Sequence, residues 1–166
     1  MNSVSDKSGE KTVPMKKVVI LGIGNILLKD EGIGIHLINA LQDSLSPPNI
    51  NLEVIDGGTS PDVFYQLGEM DKLIIIDAAR GGGDPGTVYQ FRPSEAILED
   101  EEYLSLHQMS ILESLKIMEC IGEGPKDTVI IGVEPKEVAW GLELSPELEH
   151  KIPQFVKLVM EETRKC

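Results

Sequence analysis

KVVILGIGNILLKDEGIG, residues 17–34, is the stretch whose reading decides the fold. Val18 to Leu21 is an uninterrupted apolar run, the pattern of a parallel strand buried on both faces. It ends in Gly22-Ile23-Gly24-Asn25, and a helical pattern opens near Asp30-Glu31-Gly32. Two glycines at the carboxyl end of a strand let the backbone turn sharply and approach a ligand closely. A dinucleotide loop would need a third glycine where Leu27 stands. The adjacent carboxylates of Asp30 and Glu31 point instead to metal or proton chemistry.

Outward from that unit, strand and helix patterns alternate. The first strand covers about residues 17–22. The first helix spans about 30–44, with Ile33, Leu37, Ala40, Leu41 and Ser44 on one stripe and Asp30 as its N-cap. Pro47-Pro48 forces a loop before a second strand over 52–55. Ser60 then caps a short helix with Pro61 at its first position. Lys72 to Asp77, KLIIID, is the most apolar strand and belongs at the centre of the sheet. Residues 78–86, AARGGGDPG, are too few for a parallel crossover, so the strand over 87–91 runs antiparallel. The acidic run Glu99 to Glu102 reads as a solvated loop, and Ser105 as the cap of a helix over about 106–121. A last strand covers 128–133, and Ser145-Pro146-Glu147 opens the C-terminal helix, which Pro153 either kinks or restarts. The expected fold is α/β: a three-layer α/β/α sandwich on a mixed, mostly parallel sheet of about five strands, one of them antiparallel.

Composition narrows the function. A chain of 166 residues suits one domain, here residues 16–166 behind a disordered polar tail at 1–15. The net charge of -13, from 28 acidic and 15 basic residues, argues against nucleic acid and anionic membranes as partners. There is no bilayer-length apolar run and no signal-peptide core at the N-terminus. The two cysteines, Cys120 and Cys166, read as unpaired thiols of a reducing cytoplasm.

In an open α/β sheet, ligands bind beyond the carboxyl ends of the strands, where the strand order reverses. A right-handed start gives the order two-one-three, which sets that crevice between the first and third strands. Glu31 lies just beyond one strand and Asp77 ends the other. Each has a plain structural reading, a first-turn acid at a helix dipole or a turn cap. Their coincidence at one edge favours function. Among the histidines, His36 falls opposite the apolar stripe and His150 lies between Glu149 and Lys151, so both are expected at the surface. His107 opens a helix, where the positive end disfavours imidazolium and leaves a neutral ring able to bind metal. It reads equally well as an ordinary polar residue of a first turn. Together Glu31, Asp77 and His107 would suit a divalent transition metal with open positions.

The same stretches resemble a known family. GIGNILLKDEGIG (22–34), VIDGGTSPD (54–62), LIIIDAARGG (73–82), PGTVYQF (85–91), SLHQMSI (105–111) and IIGVEP (130–135) occur in the order found in the hydrogenase maturation proteases. These enzymes trim the C-terminus of the nickel-iron hydrogenase large-subunit precursor. The resemblance implies a cytoplasmic endopeptidase that acts on nickel-loaded precursor, with the nickel brought by the substrate and contacted by Glu31, Asp77 and His107. It also implies that the antiparallel strand is an edge strand beyond the last parallel one. Asp56 and the Gly57-Gly58 turn lie at the same edge, as groove lining or as a tight turn. Gly81-Gly82-Gly83 either frees the loop after Asp77 or is a surface turn. Two rival readings are a dinucleotide module on Gly22-Ile23-Gly24 and a non-catalytic chaperone that holds the metal-loaded precursor.

Overall fold

A computed structural model of the chain describes residues 13–44, 46–96 and 106–165, with only the backbone described at Ala96, Leu106 and His107. Five strands, β1 (Lys16–Gly22), β2 (Ile50–Asp56), β3 (Lys72–Ala78), β4 (Val88–Phe91) and β5 (Asp127–Val133), form one sheet in the order β2-β1-β3-β5-β4. The first four places are parallel, and β4 pairs antiparallel with β5 at the edge. Both expectations about this strand hold: its direction, forced by the short link, and its place outside β5.

The period-two alternation of the central strands sends side chains into two cores. On one face Val18, Ile20, Ile74, Ile76 and Ile131 pack under α1 (Ile33–Leu41), α4 (Pro146–Glu149) and α5 (Ile152–Thr163). On the other, Val19, Leu21, Leu73, Ile75 and Ile130 meet Phe64 and the helix α3 (Leu106–Cys120). All seven residues of β3 are buried, as its apolar run requires. Burying one such aliphatic side chain contributes about 1.5–3 kcal/mol.

Several boundaries differ from those read in the sequence. Residues 29–32 form a separate 3₁₀ turn, and α1 itself begins at Ile33. The apolar face of α1 is broader than one stripe, with Ile35 and Ile38 buried as well, Ile38 against Gly22 of β1. Ser60 caps a 3₁₀ turn (Pro61–Gln66), its hydroxyl accepting the Asp62 N–H at 3.3 Å. Pro153 restarts the chain as the second residue of α5. A short helix, α2 (Pro93–Ala96), follows β4 and was not expected. Glu99 to Glu102 and Ser105 lie outside the described residues. Val13 to Met15 are exposed and irregular ahead of β1. Among the described residues, no helix is long and apolar enough to cross a membrane.

The amino end of the sheet is closed by charge. Lys72, only 1% exposed, donates to the Glu162 carboxylate at 2.7 Å and to the Lys165 carbonyl at 2.6 Å. Asp127 stands 3.3 Å from the same ammonium.

Candidate active site

The carboxyl end of β1 is stitched to both neighbouring strands. Ile23 N–H donates to the Ile76 carbonyl at 2.8 Å, Gly57 N–H to Gly22 at 2.8 Å, and Gly24 N–H to Gly58 at 2.9 Å. Gly24 sits at φ +145°, and a β-carbon there would strike the carbonyl of Glu31. At Gly34 a β-carbon would strike the carbonyls of Ile23 and Ile76. The two missing side chains let the first turn of α1 and the preceding 3₁₀ turn lean onto the strand ends. That approach delivers Glu31 to Asp77.

Asp77 is 2% exposed on the α3 face of β3, beside Ile75, Gln108, Ile111 and Ile130. Burial raises its pKa well above the ordinary aspartate value, and the negative charge of Glu31 raises it further. The opposing contribution is the Ala78 N–H, which donates to Asp77 Oδ1 at 2.8 Å. A carboxyl nearly sealed from water, with a second carboxylate raising its cost of ionisation, is suited to holding a proton or a cation. The crevice expected between β1 and β3 therefore does bring Glu31 and Asp77 together.

Asp30 corrects the sequence reading. It is not an N-cap, since Leu28 precedes the 3₁₀ turn and no side chain caps it. The Asp30 carboxylate is instead buried and accepts the N–H groups of Lys136 (2.9 Å), Glu137 (3.0 Å) and Ser145 (2.7 Å), with the Ser145 hydroxyl at 2.7 Å. Burial alone would raise its pKa, but these donors outweigh burial and hold it below the usual value. The helix α4 does open after Ser145, yet that hydroxyl serves Asp30 and not the helix end.

A third buried carboxylate, Glu134, is not singled out by the sequence. Glu134 Oε2 accepts Gly81 N–H at 2.6 Å and the Tyr89 hydroxyl at 2.8 Å. Its backbone also pairs with the same loop, accepting from Gly86 and donating to Thr87, both at 2.8 Å. The link from β3 to β4 thus crosses over the end of β5 and is fastened there, so Gly81 belongs to a held turn. Burial raises the Tyr89 pKa first and the Glu134 contact adds to it. The glutamate of IIGVEP was the available signal, a carboxylate closing an apolar strand.

His107 lies in the first turn of α3, and its side chain is outside the described residues. Its neighbour Gln108 donates to the Ala78 carbonyl at 3.3 Å, so this turn stands over the end of β3. Among the described residues, no group of three or more His, Cys, Asp or Glu forms a metal cage. His36 is half-buried, not exposed as expected, and its Nε2 has no hydrogen-bond partner. The reason is again the breadth of the buried face of α1. His150 is exposed. Asp56 is exposed and accepts Gly58 N–H at 2.9 Å, the geometry of a tight turn. Cys120 is free and exposed, and Cys166 lies outside the described residues.

The strand order and the like-charged pair at its switch point define an α/β domain with its chemistry at the carboxyl end of the sheet. Known proteins give that domain a family. The hydrogenase maturation protease family model matches residues 35–162. The hydrogenase 2 maturation protease of Escherichia coli is 32% identical over 146 residues, which cover 87% of this chain and 88% of that one. The coenzyme F420 hydrogenase subunit delta of Methanothermobacter thermautotrophicus is 30% identical, over 88% and 94%. The solved hydrogenase maturating endopeptidase HybD from E. coli superposes with a TM-score of 0.78 at 31% identity, covering 90% of this chain and 93% of that one. The chain belongs to the hydrogenase maturation protease family.

Proposed function

We propose that this chain is a cytoplasmic endopeptidase that removes the C-terminal extension of a nickel-loaded hydrogenase large-subunit precursor. Family membership supports the peptidase activity and the class of substrate. The observation that carries the chemistry is the buried carboxyl of Asp77 set against the like charge of Glu31. Among the described residues, no positive side chain belongs to the groups that set the Asp77 pKa, so a divalent cation is a natural complement of this pair. The nickel is part of the substrate. It arrives on the precursor's cysteine sulfurs and is held by Glu31 and Asp77, with His107 as the nitrogen ligand.

Seating the metal fixes the precursor's C-terminal segment over the carboxyl end of the sheet, so much of the rate comes from positioning. The metal would supply polarisation of a water for attack on the peptide carbonyl, and a carboxylate would take that water's proton and pass it to the departing amine as the C–N bond breaks. The held loop of Gly81 and the stitched turn of Gly57-Gly58 frame the approach. A precursor-holding chaperone would use the same ligands without turnover.

The test is a side-by-side digest of nickel-loaded and nickel-free precursor, with the new C-terminus read by mass spectrometry. Cleavage of the loaded form alone is expected, and His107→Ala should weaken that discrimination. Equal cleavage of both forms would remove nickel from the mechanism and leave the peptidase standing. Binding without any cleavage would favour the chaperone.

A further inference from the structure

Five apolar side chains stand exposed on two adjoining loops beside Glu31. Trp140, the only tryptophan, is 80% exposed and Leu142 61%, with Val138, Ile26 and Leu27 also open to solvent. Single exposed apolar residues are ordinary, but a contiguous cluster marks a contact surface. This cluster is also built on a rigid frame. Leu28 and Gly141 form a parallel bridge, with Lys29 N–H donating to the Gly141 carbonyl and Gly141 N–H to Leu27, both at 2.9 Å. The Asp30 carboxylate grips the second loop at both ends, through Lys136 and Glu137 on one side and Ser145 on the other.

Position and charge indicate what covers it. The ridge is continuous along the chain with Glu31, so a polypeptide that brings a peptide bond to Glu31 and Asp77 must lie against it. Its nearby cations are already engaged, Lys29 by Glu137 at 2.8 Å and Lys136 by Glu147. Glu143 adds a further exposed acid to a chain of net charge -13. The complementary surface is apolar and edged with basic groups.

We propose that this ridge is the docking surface for the folded body of the precursor, with Trp140 entering an apolar hollow rimmed by lysine or arginine. The proposal rests on the substrate class given above. A tryptophan carried on a fixed backbone contributes large contact area, as binding hot spots do.

Because Trp140 is the only tryptophan, 5-fluorotryptophan gives the protease a single 19F resonance. Added precursor should shift and broaden that line in the cleavage-deficient Asp77→Asn background. Trp140→Ala and Leu142→Ser, both at exposed positions and checked for unchanged melting, should each raise the precursor Kd by roughly tenfold. The KM for cleavage should rise with it, more than kcat falls. An unmoved 19F line with bound precursor, or wild-type Kd in both variants, would overturn the ridge while leaving the protease assignment intact. A wild-type dimer that Trp140→Ala dissolves would also overturn it, because a second copy would then cover the ridge. A wild-type protein that neither binds nor cleaves precursor would overturn both readings.

Discussion

Lys72 and Asp77 stand at opposite ends of β3, both almost wholly buried, and their surroundings treat them in opposite ways. Around Lys72 every charge is answered. Glu162 receives the ammonium, Gln90 at 2.6 Å and Lys165 at 3.0 Å, and Asp127 completes the group. Burial pushes the Glu162 pKa up, but these partners reverse the shift and hold it below its ordinary value. At the other end, among the described residues, Asp77 has one backbone donor and a neighbour of its own sign. Charge buried with its counter-charge is architecture. Charge buried against like charge costs stability, and such cost persists where a ligand is to be met.

Asp77→Asn is the strongest test of this contrast. It keeps the shape and removes the charge, so precursor cleavage should fall about a hundredfold or more. The protein should nonetheless melt higher than wild type at neutral pH. A raised folded-state pKa means the native state holds the proton more tightly than the unfolded chain, whose ordinary value is 3.8. Wild-type stability therefore declines as pH climbs from 3.8 to the raised folded value, and stays reduced above it. The advantage of Asp77→Asn should be widest at neutral pH and vanish below 3.8. Calorimetric melts across that range, paired with the digest, check both halves. A less stable Asn variant at neutral pH would make Asp77 structural and end the contrast.

Lys72→Met should show the reverse pattern. It takes from Glu162 its buried counter-charge and leaves Gln90 and the exposed Lys165, at a cost of about 3 kcal/mol in a denaturant titration, while folded molecules keep their cleavage rate. Acid should act at this end with opposite sign too. The stability given by Glu162 is complete above its unfolded value of 4.5 and is lost as pH falls through its lowered folded value.

The smallest effects should come from outside both ends of the sheet. His150→Ala changes an exposed side chain, and removal of residues 1–14 stops short of Lys16, where β1 begins. Melting temperature and cleavage should match wild type in each. A clear fall in either for the truncated chain would make its N-terminal segment part of the working domain.

What could be read in the sequence was what depends on local pattern. The run Val18 to Leu21, the glycines after it and the apolar run Leu73 to Ile76 of β3 gave strand identity, and the short link after Asp77 gave the direction of β4. Glu31 and Asp77 could be paired because a general rule of α/β sheets, and not their spacing, brings strand ends together. Asp30 was misread because its partners are Lys136, Glu137 and Ser145, far along the chain, and nothing near residue 30 announces them. His36 was misread because the buried face of α1 is wider than the stripe its apolar residues spell out, with Ile35 and Ile38 buried beyond it. Glu134 and Lys72 are single charges within apolar strands, and only the folded chain shows what answers them.

The grip of one carboxylate on both ends of a loop also bears on how such a domain diversifies. Residues 138–140, 142 and 143 are exposed between fixed backbone anchors at 136–137, 141 and 145, whereas Leu144 is buried in the core, and the Asp30 contacts are mostly to main-chain N–H groups. Letters at those exposed positions can be exchanged without touching what fastens the loop. The loop behaves as a cassette, in which the recognised partner can change while the catalytic floor beneath stays the same.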